Sequence, residues 1–243
     1  MASLFFNRDL ELHPFLESIA QSIRIRRSDF EDLSLLEIDP RLRKIRGELE
    51  GNEVTIKNEL YKARGLRKLH LEIAILGSSL QVLHCVFFPE PTFDIPIFGA
   101  DIVVGPSGIS AAIVDLSPVG EELPPFVKDE ITKIQIPSFK NKRELPEWGS
   151  IFSSHVHFVR PDGSLEEKAF KSLLEKYLQL LRYSLQLVTP DSPDSPSTLR
   201  RLGYQELYCL QQKRNDKTRN ILSKAFSPKW AEEYIDILLF EGP

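Results

Sequence analysis

Three apolar stretches of this sequence are each interrupted by ionisable residues. Leu69-His70-Leu71-Glu72-Ile73 alternates, so in an extended chain His70 and Glu72 point to the side opposite the leucines and isoleucine. His84 stands inside Val82-Leu83-His84-Cys85-Val86-Phe87-Phe88, and Asp101 inside Ile97-Phe98-Gly99-Ala100-Asp101-Ile102-Val103-Val104. Charged groups are costly to bury unless paired, and neighbouring titratable groups displace one another's pKa values. Coupled proton donors in a dry pocket are therefore one reading of these residues. The other is structural: a satisfied core histidine, and an aspartate that anchors a nearby loop. Residue chemistry by itself leaves both open.

Whether these groups meet depends on the connections between their strands. The turn Gly77-Ser78-Ser79 is centred on residue 78, which opposes Glu72 to His84 in an antiparallel pair. The next connection, from Pro89 to Pro96, is centred between residues 92 and 93 and opposes His84 to Asp101. Opposed residues share a sheet face with Cβ atoms roughly 5 Å apart. Glu72, His84 and Asp101 are thus expected in one row across three strands, unless a bulge in either connection breaks the register.

The elements that would position this row follow from hydrophobic periodicity. Strands are expected over residues 69–75, 81–88, 97–104 and 109–116, each rich in Val, Ile and Phe and separated by Gly, Ser or Pro. A hairpin over residues 45–60 turns at Glu50-Gly51-Asn52, and Val156 to Val159 reads as one further strand. Residues 117–146 are proline-punctuated and read as an irregular loop over a sheet edge. A first helix is expected within residues 13–32. A long one follows Ser164, whose Glu167 completes a capping box, and carries Phe170, Leu173, Leu174, Tyr177, Leu178 and Leu181 at helical spacing. Beyond a proline-rich linker at residues 189–196, helices are expected over residues 199–212, near 217–226, and after Ser227-Pro228. Short connections favour antiparallel neighbours, and strands first with helices afterwards give an α+β fold, a three-layer α/β/α sandwich around a central antiparallel sheet.

Several blocks of residues resemble the ferredoxin-dependent bilin reductases, in particular members that form phycocyanobilin. They are Leu83-His84-Cys85-Val86-Phe87-Phe88-Pro89-Glu90-Pro91, residues 98–106, residues 110–118, Arg143-Glu144-Leu145-Pro146-Glu147-Trp148-Gly149 and Lys213-Arg214-Asn215-Asp216-Lys217-Thr218-Arg219. The similarity runs from about residue 54 to residue 240. It implies an antiparallel sheet between helices, with an open-chain tetrapyrrole held against the C-terminal helices. It also implies four-electron reduction of biliverdin IXα to phycocyanobilin by external reduced ferredoxin, without a bound cofactor or metal. By the same resemblance Asp101 donates protons and holds the substrate, His84 shares a proton near the pyrrole lactams, and Glu72 protonates an outer-ring vinyl group. Arg143 and Lys217 would receive the propionates, with Asn215, Ser110 and His70 beside them. A histidine at position 84 points to the four-electron reaction. A two-electron reductase of the same family and a non-catalytic bilin carrier are the competing functions.

Ferredoxin is acidic, so a basic docking face is expected, with Lys213, Arg214, Arg219, Lys224, Arg200 and Arg201 as its candidates. Composition adds bounds. A chain of 243 residues that is 42% hydrophobic can bury one large core, so a single domain over residues 1–243 is expected. The net charge of −4 excludes an overall basic footprint for nucleic acid, and Cys85 and Cys209 are too few for a disulfide framework. The apolar run in residues 1–10 is too short for a signal peptide, and no stretch approaches the roughly 20 apolar residues needed to cross a bilayer. A monomeric cytoplasmic protein is the resulting expectation.

Overall fold

Alternating β-branched and aromatic residues joined by short turns build the centre of the molecule. The computed structural model describes residues 11–78 and 80–243. Met1 to Leu10, where a signal peptide was discounted, and Ser79 of the first turn lie outside the described residues. Eight strands form one antiparallel sheet: β1 (Ser34–Leu35), β2 (Lys44–Leu49), β3 (Asn52–Ala63), β4 (Leu66–Leu76), β5 (Leu80–Pro89), β6 (Ile97–Gly105), β7 (Gly108–Ser117) and β8 (His157–Val159). Their order is β1-β3-β4-β5-β6-β7-β8, with β2 also paired to β3. The β2–β3 hairpin turns at Glu50 and Gly51, both at positive φ (53° and 80°), which is the backbone a two-residue type I′ turn requires.

Helices cover both faces, as the three-layer expectation requires. α1 (Pro14–Arg27), α2 (Pro125–Ile131) and α3 (Gly163–Leu187) bury their apolar sides against Leu69, Leu71, Ile73, Leu83, Cys85, Phe87, Ala100, Ile102 and Val104. The second face meets α4 (Pro196–Gln212), α5 (Asp216–Ala225), α6 (Pro228–Tyr234) and the π-helical turn Ile235–Leu239 that continues it. That second layer is incomplete. On β6 the residues facing the first core are buried, whereas Gly99, Asp101 and Val103 on the other side are only half-buried, as are Ala111 and Ile113 on β7. An open shelf therefore lies over β6 and β7, beside the C-terminal helices. No helix among the described residues is long and apolar enough to cross a membrane.

Local chemistry explains the ends of the elements and two departures from expectation. Ser227 caps α6 by accepting from the Trp230 amide, with Pro228 at the first helical position, as read from the sequence. α1 lies within the expected residues 13–32 and ends at Arg27, where Arg24 and Arg27 turn back onto Glu59; Asp32 beyond it adopts a positive φ. The Ser164/Glu167 capping box does not form. α3 starts at Gly163, and the buried Glu166 carboxylate instead accepts the amides of Asp162 (2.8 Å) and Lys140 (3.0 Å), tying the preceding loop to the helix. The stretch read as irregular contains α2, which starts on consecutive prolines and packs Val127 and Ile131 into the first core.

Candidate active site

Both predicted pairings are present: Glu72 opposes His84, and His84 opposes Asp101. The row is longer than expected. Asn58 on β3 opposes Glu72, Asp101 opposes Ile113, and Ile113 opposes Phe158 on β8, so one line of side chains crosses six strands. Because side chains alternate, the whole row lies on the face with the open shelf.

Two hydrogen-bonded groups make up the polar part. His84 Nδ1 lies 2.7 Å from Asp101 Oδ1. The Asp101 side chain is 40% exposed, so it stands at the edge of the shelf rather than in the dry interior expected for all three residues. The second group is buried. The Tyr234 hydroxyl lies 2.5 Å from Glu72 Oε2 and 3.0 Å from Asn58 Oδ1, and His70 Nε2 lies 2.8 Å from the same Asn58 oxygen. Asn58 Nδ2 donates to the Leu42 carbonyl at 2.6 Å, which orients the amide and makes His70 Nε2 a donor. His70 and His84 join the two groups, their ring centroids 5.9 Å apart, and the Phe240 ring meets the His84 ring edge-on at 5.6 Å. Two buried ring nitrogens, His70 Nδ1 and His84 Nε2, have no hydrogen-bond partner among the described residues.

Environment gives each group a different affinity for protons. Burial raises the Glu72 carboxyl above its ordinary value, against the pull of His84 and of the Tyr234 hydroxyl. Burial works against a charge on His84, yet the Asp101 carboxylate at its ring and Glu72 beside it raise its pKa overall. Burial holds His70 well below the usual imidazole range, with Lys68 and His84 acting in the same sense, so this ring is neutral. The row thus sets a carboxyl that holds its proton more tightly than usual beside an imidazole made more basic, which is hydrogen-bonded to Asp101 at the edge of the shelf. That is a set of proton donors of unequal strength on one surface.

The remaining predicted residues are spread more widely. His70 sits with His84 and Asn58, three strands away from Ser110 on β7. Arg143 Nη1 donates to the Ser110 carbonyl at 2.5 Å, and its guanidinium lies 5.3 Å from the ring centroid of Phe158, at the far end of the row. Arg143 and Ser110, with His13 and Arg160, line a depression of about 430 Å³. Asn215 is the N-cap residue of α5, and the exposed Lys217 lies in that helix's first turn. The expected basic patch is reduced: Arg201 is buried, bonded to the Pro91 carbonyl and Asp191; Lys213 pairs with Asp236; and Arg219 pairs with Glu232 and Asp216. Arg200, Arg214 and Lys224 remain exposed without an ion pair among the described residues. Among those residues no three His, Cys, Asp or Glu side chains gather as a metal site would require.

Asn58, Tyr234, Lys68 and Phe240 were not singled out from the sequence. Asn58 carried a signal, since it breaks the buried alternation Val54, Ile56, Asn58, Leu60 on β3. Tyr234 and Phe240 carried none, because only the packing of α6 and the turn after it brings them to the sheet.

A helix-covered antiparallel sheet with coupled acids beside an open shelf suits an oxidoreductase that supplies protons to a flat bound substrate. Comparison with known proteins gives the class: residues 20–241 match the ferredoxin-dependent bilin reductase family, and the chain belongs to it. Its relatives include the phycocyanobilin:ferredoxin oxidoreductase of Prochlorococcus marinus (strain MIT 9313), 56% identical over 96% of this chain and 88% of the relative. The protein of the same name from Synechococcus sp. (strain CC9902) is 53% identical over 96% of this chain and 95% of its own. Among solved structures, phytochromobilin synthase from tomato in complex with biliverdin has the same fold, with a TM-score of 0.71 at 17% identity over 93% of this chain and 82% of that one.

Proposed function

We propose that this chain reduces biliverdin IXα to phycocyanobilin, taking four electrons from reduced ferredoxin and supplying an equal number of protons through the Glu72–His84–Asp101 row. The observation that carries this reading is the row itself. An electron added to a bound tetrapyrrole raises its basicity, so each reduction needs an acid within reach. Asp101, half-exposed on the shelf and bonded to His84, donates protons and holds the pyrrole nitrogens. Glu72, buried and opposed to His84, protonates an outer-ring vinyl group. The relatives' name supports phycocyanobilin as product and ferredoxin as donor.

Arg143 binds one propionate through its planar fork, and Ser110 hydrogen-bonds beside it. Lys217 takes the other propionate, with Asn215 as its neighbour, and His70 fixes the orientation of His84. Anaerobic turnover with reduced ferredoxin and product identification tests the proposal. Phycocyanobilin is the expected product. A pigment that binds and never changes its spectrum would make the chain a carrier, and a product reduced by only two electrons would make it the other type of reductase.

A further inference from the structure

Glu72 receives its one side-chain hydrogen bond among the described residues from Tyr234, whose ring cannot move away from it. Tyr234 stacks on Trp230 with centroids 4.8 Å apart and planes at 12°, and Trp230 stacks on Phe226 at 4.1 Å. Phe226 in turn lies against β2 at Gly47, where any Cβ would collide with its ring. This aromatic stack pins the Tyr234 oxygen between Glu72 Oε2 and Asn58 Oδ1 and leaves the hydroxyl hydrogen as the mobile part.

A hydroxyl carries one proton and can accept another hydrogen bond. With Glu72 protonated, the carboxyl donates to the Tyr234 oxygen, and Tyr234 donates to Asn58 Oδ1. With Glu72 ionised, the hydroxyl turns its proton to Glu72 Oε2, and Asn58 Oδ1 keeps its bond from His70 Nε2–H. Every one of these atoms is satisfied in both states, and only a rotation about one C–O bond separates them. Burial and the neighbouring Glu72 keep the hydroxyl itself protonated throughout.

We propose that Tyr234 is a positioning residue for proton delivery by Glu72, holding the carboxyl in place and changing from acceptor to donor as that carboxyl gives up its proton. The proposal rests on the reading of Glu72 as the acid of the vinyl reduction. In that step the Glu72 O–H bond breaks as a C–H bond forms on the pigment, the electrons come from ferredoxin, and the Tyr234 proton never leaves its oxygen. Glu72 regains a proton from bulk water before the next turnover.

Tyr234→Phe removes the hydroxyl and keeps the stack. A hydrogen bond to an ionised group is lost, so the Glu72-dependent reduction slows by roughly tenfold to a hundredfold and the two-electron product accumulates. Biliverdin binding, read from the spectrum of the bound pigment, and the reduction that does not use Glu72 keep their wild-type values. Glu72 is faced by His84 on β5, Asn58 on β3 and Tyr234 on α6, with Asp101 one strand further. Of these only the Tyr234 hydroxyl is changed, so the pH midpoint of the Glu72-dependent reduction moves upward. In a Glu72→Gln background, Tyr234→Phe adds less than about a twofold further change, because residues acting as one unit are not additive. A Tyr234→Phe variant with wild-type products and pH midpoint, beside a Glu72→Gln variant that stalls, overturns the role of Tyr234 alone. Equal slowing by Tyr234→Phe in both backgrounds overturns it too. Wild-type products from Glu72→Gln overturn the reading of Glu72 itself, and this proposal with it.

Discussion

The two faces of the central sheet are made by the same strands, residue about, and they are opposites. Toward α1 and α3 the strands present Leu69, Leu71 and Ile73, then Leu83, Cys85 and Phe87, then Ala100, Ile102 and Val104, all buried and apolar. Toward α4, α5 and α6 the same strands set Lys68, His70 and Glu72, then His84, then Asp101 among apolar side chains such as Ala74, Val86 and Phe88. Alternation lets one face secure the fold while the other holds groups that are expensive to bury. The face that carries the acids is also the incompletely covered one, so its shelf is open without any break in the first apolar core.

Substitutions confined to one face test that division. Leu71→Ala removes apolar contact opposite the acids and is expected to lower stability by roughly 2–5 kcal/mol in chemical denaturation. The product spectrum should not change, and an altered product ratio would join the two faces that the account separates. Lys68 probes the opposite face. It is buried with its ammonium on the Leu238 carbonyl, and burial pushes its pKa from 10.5 down to about 8. The folded state therefore binds this proton less tightly than the unfolded chain, so stability rises as pH climbs from about 8 to 10.5, by about 3 kcal/mol from this group. Lys68→Met should abolish that rise, measured as melting temperature against pH.

Asp115 provides an effect of similar size, with the opposite sign. It is buried on the same face, accepts from Ser117 and Ser153, and is held up at about 6 by burial. Here the folded state binds the proton more tightly, so its contribution is complete below pH 3.8 and lost as pH rises to about 6. The loss is about 3 kcal/mol. Asp115→Asn should flatten that part of the stability curve and leave product identity as in the wild type, because Asp115 anchors a loop. A changed product would place it in the proton row.

Much of this site was legible in the sequence because strand geometry is simple. A period of two and two short connections were enough to oppose Glu72, His84 and Asp101. What the sequence hid depends on packing between distant segments. Tyr234 lies 162 positions from Glu72 and reaches it only because α6 stacks on Trp230 and Phe226. Arg201 has the composition of a surface charge, and its burial follows from carbonyls in the loop at residues 91–92. Prolines concealed α2, since the same residues that break helices also begin them. Glu166 rather than Glu167 serves the start of α3 because Lys140, in a distant loop, supplies the second amide.

On the proposed function the acids of this face deliver protons to a reduced pigment, and Asp101 is the group through which they meet the shelf. Asp101→Asn keeps the size of the side chain and its contact with His84 but removes its acid. Mixed anaerobically with biliverdin and reduced ferredoxin, this variant is expected to bind the pigment and turn over at least about a hundredfold more slowly than the wild type. Phycocyanobilin formation at the wild-type rate by Asp101→Asn would contradict the account.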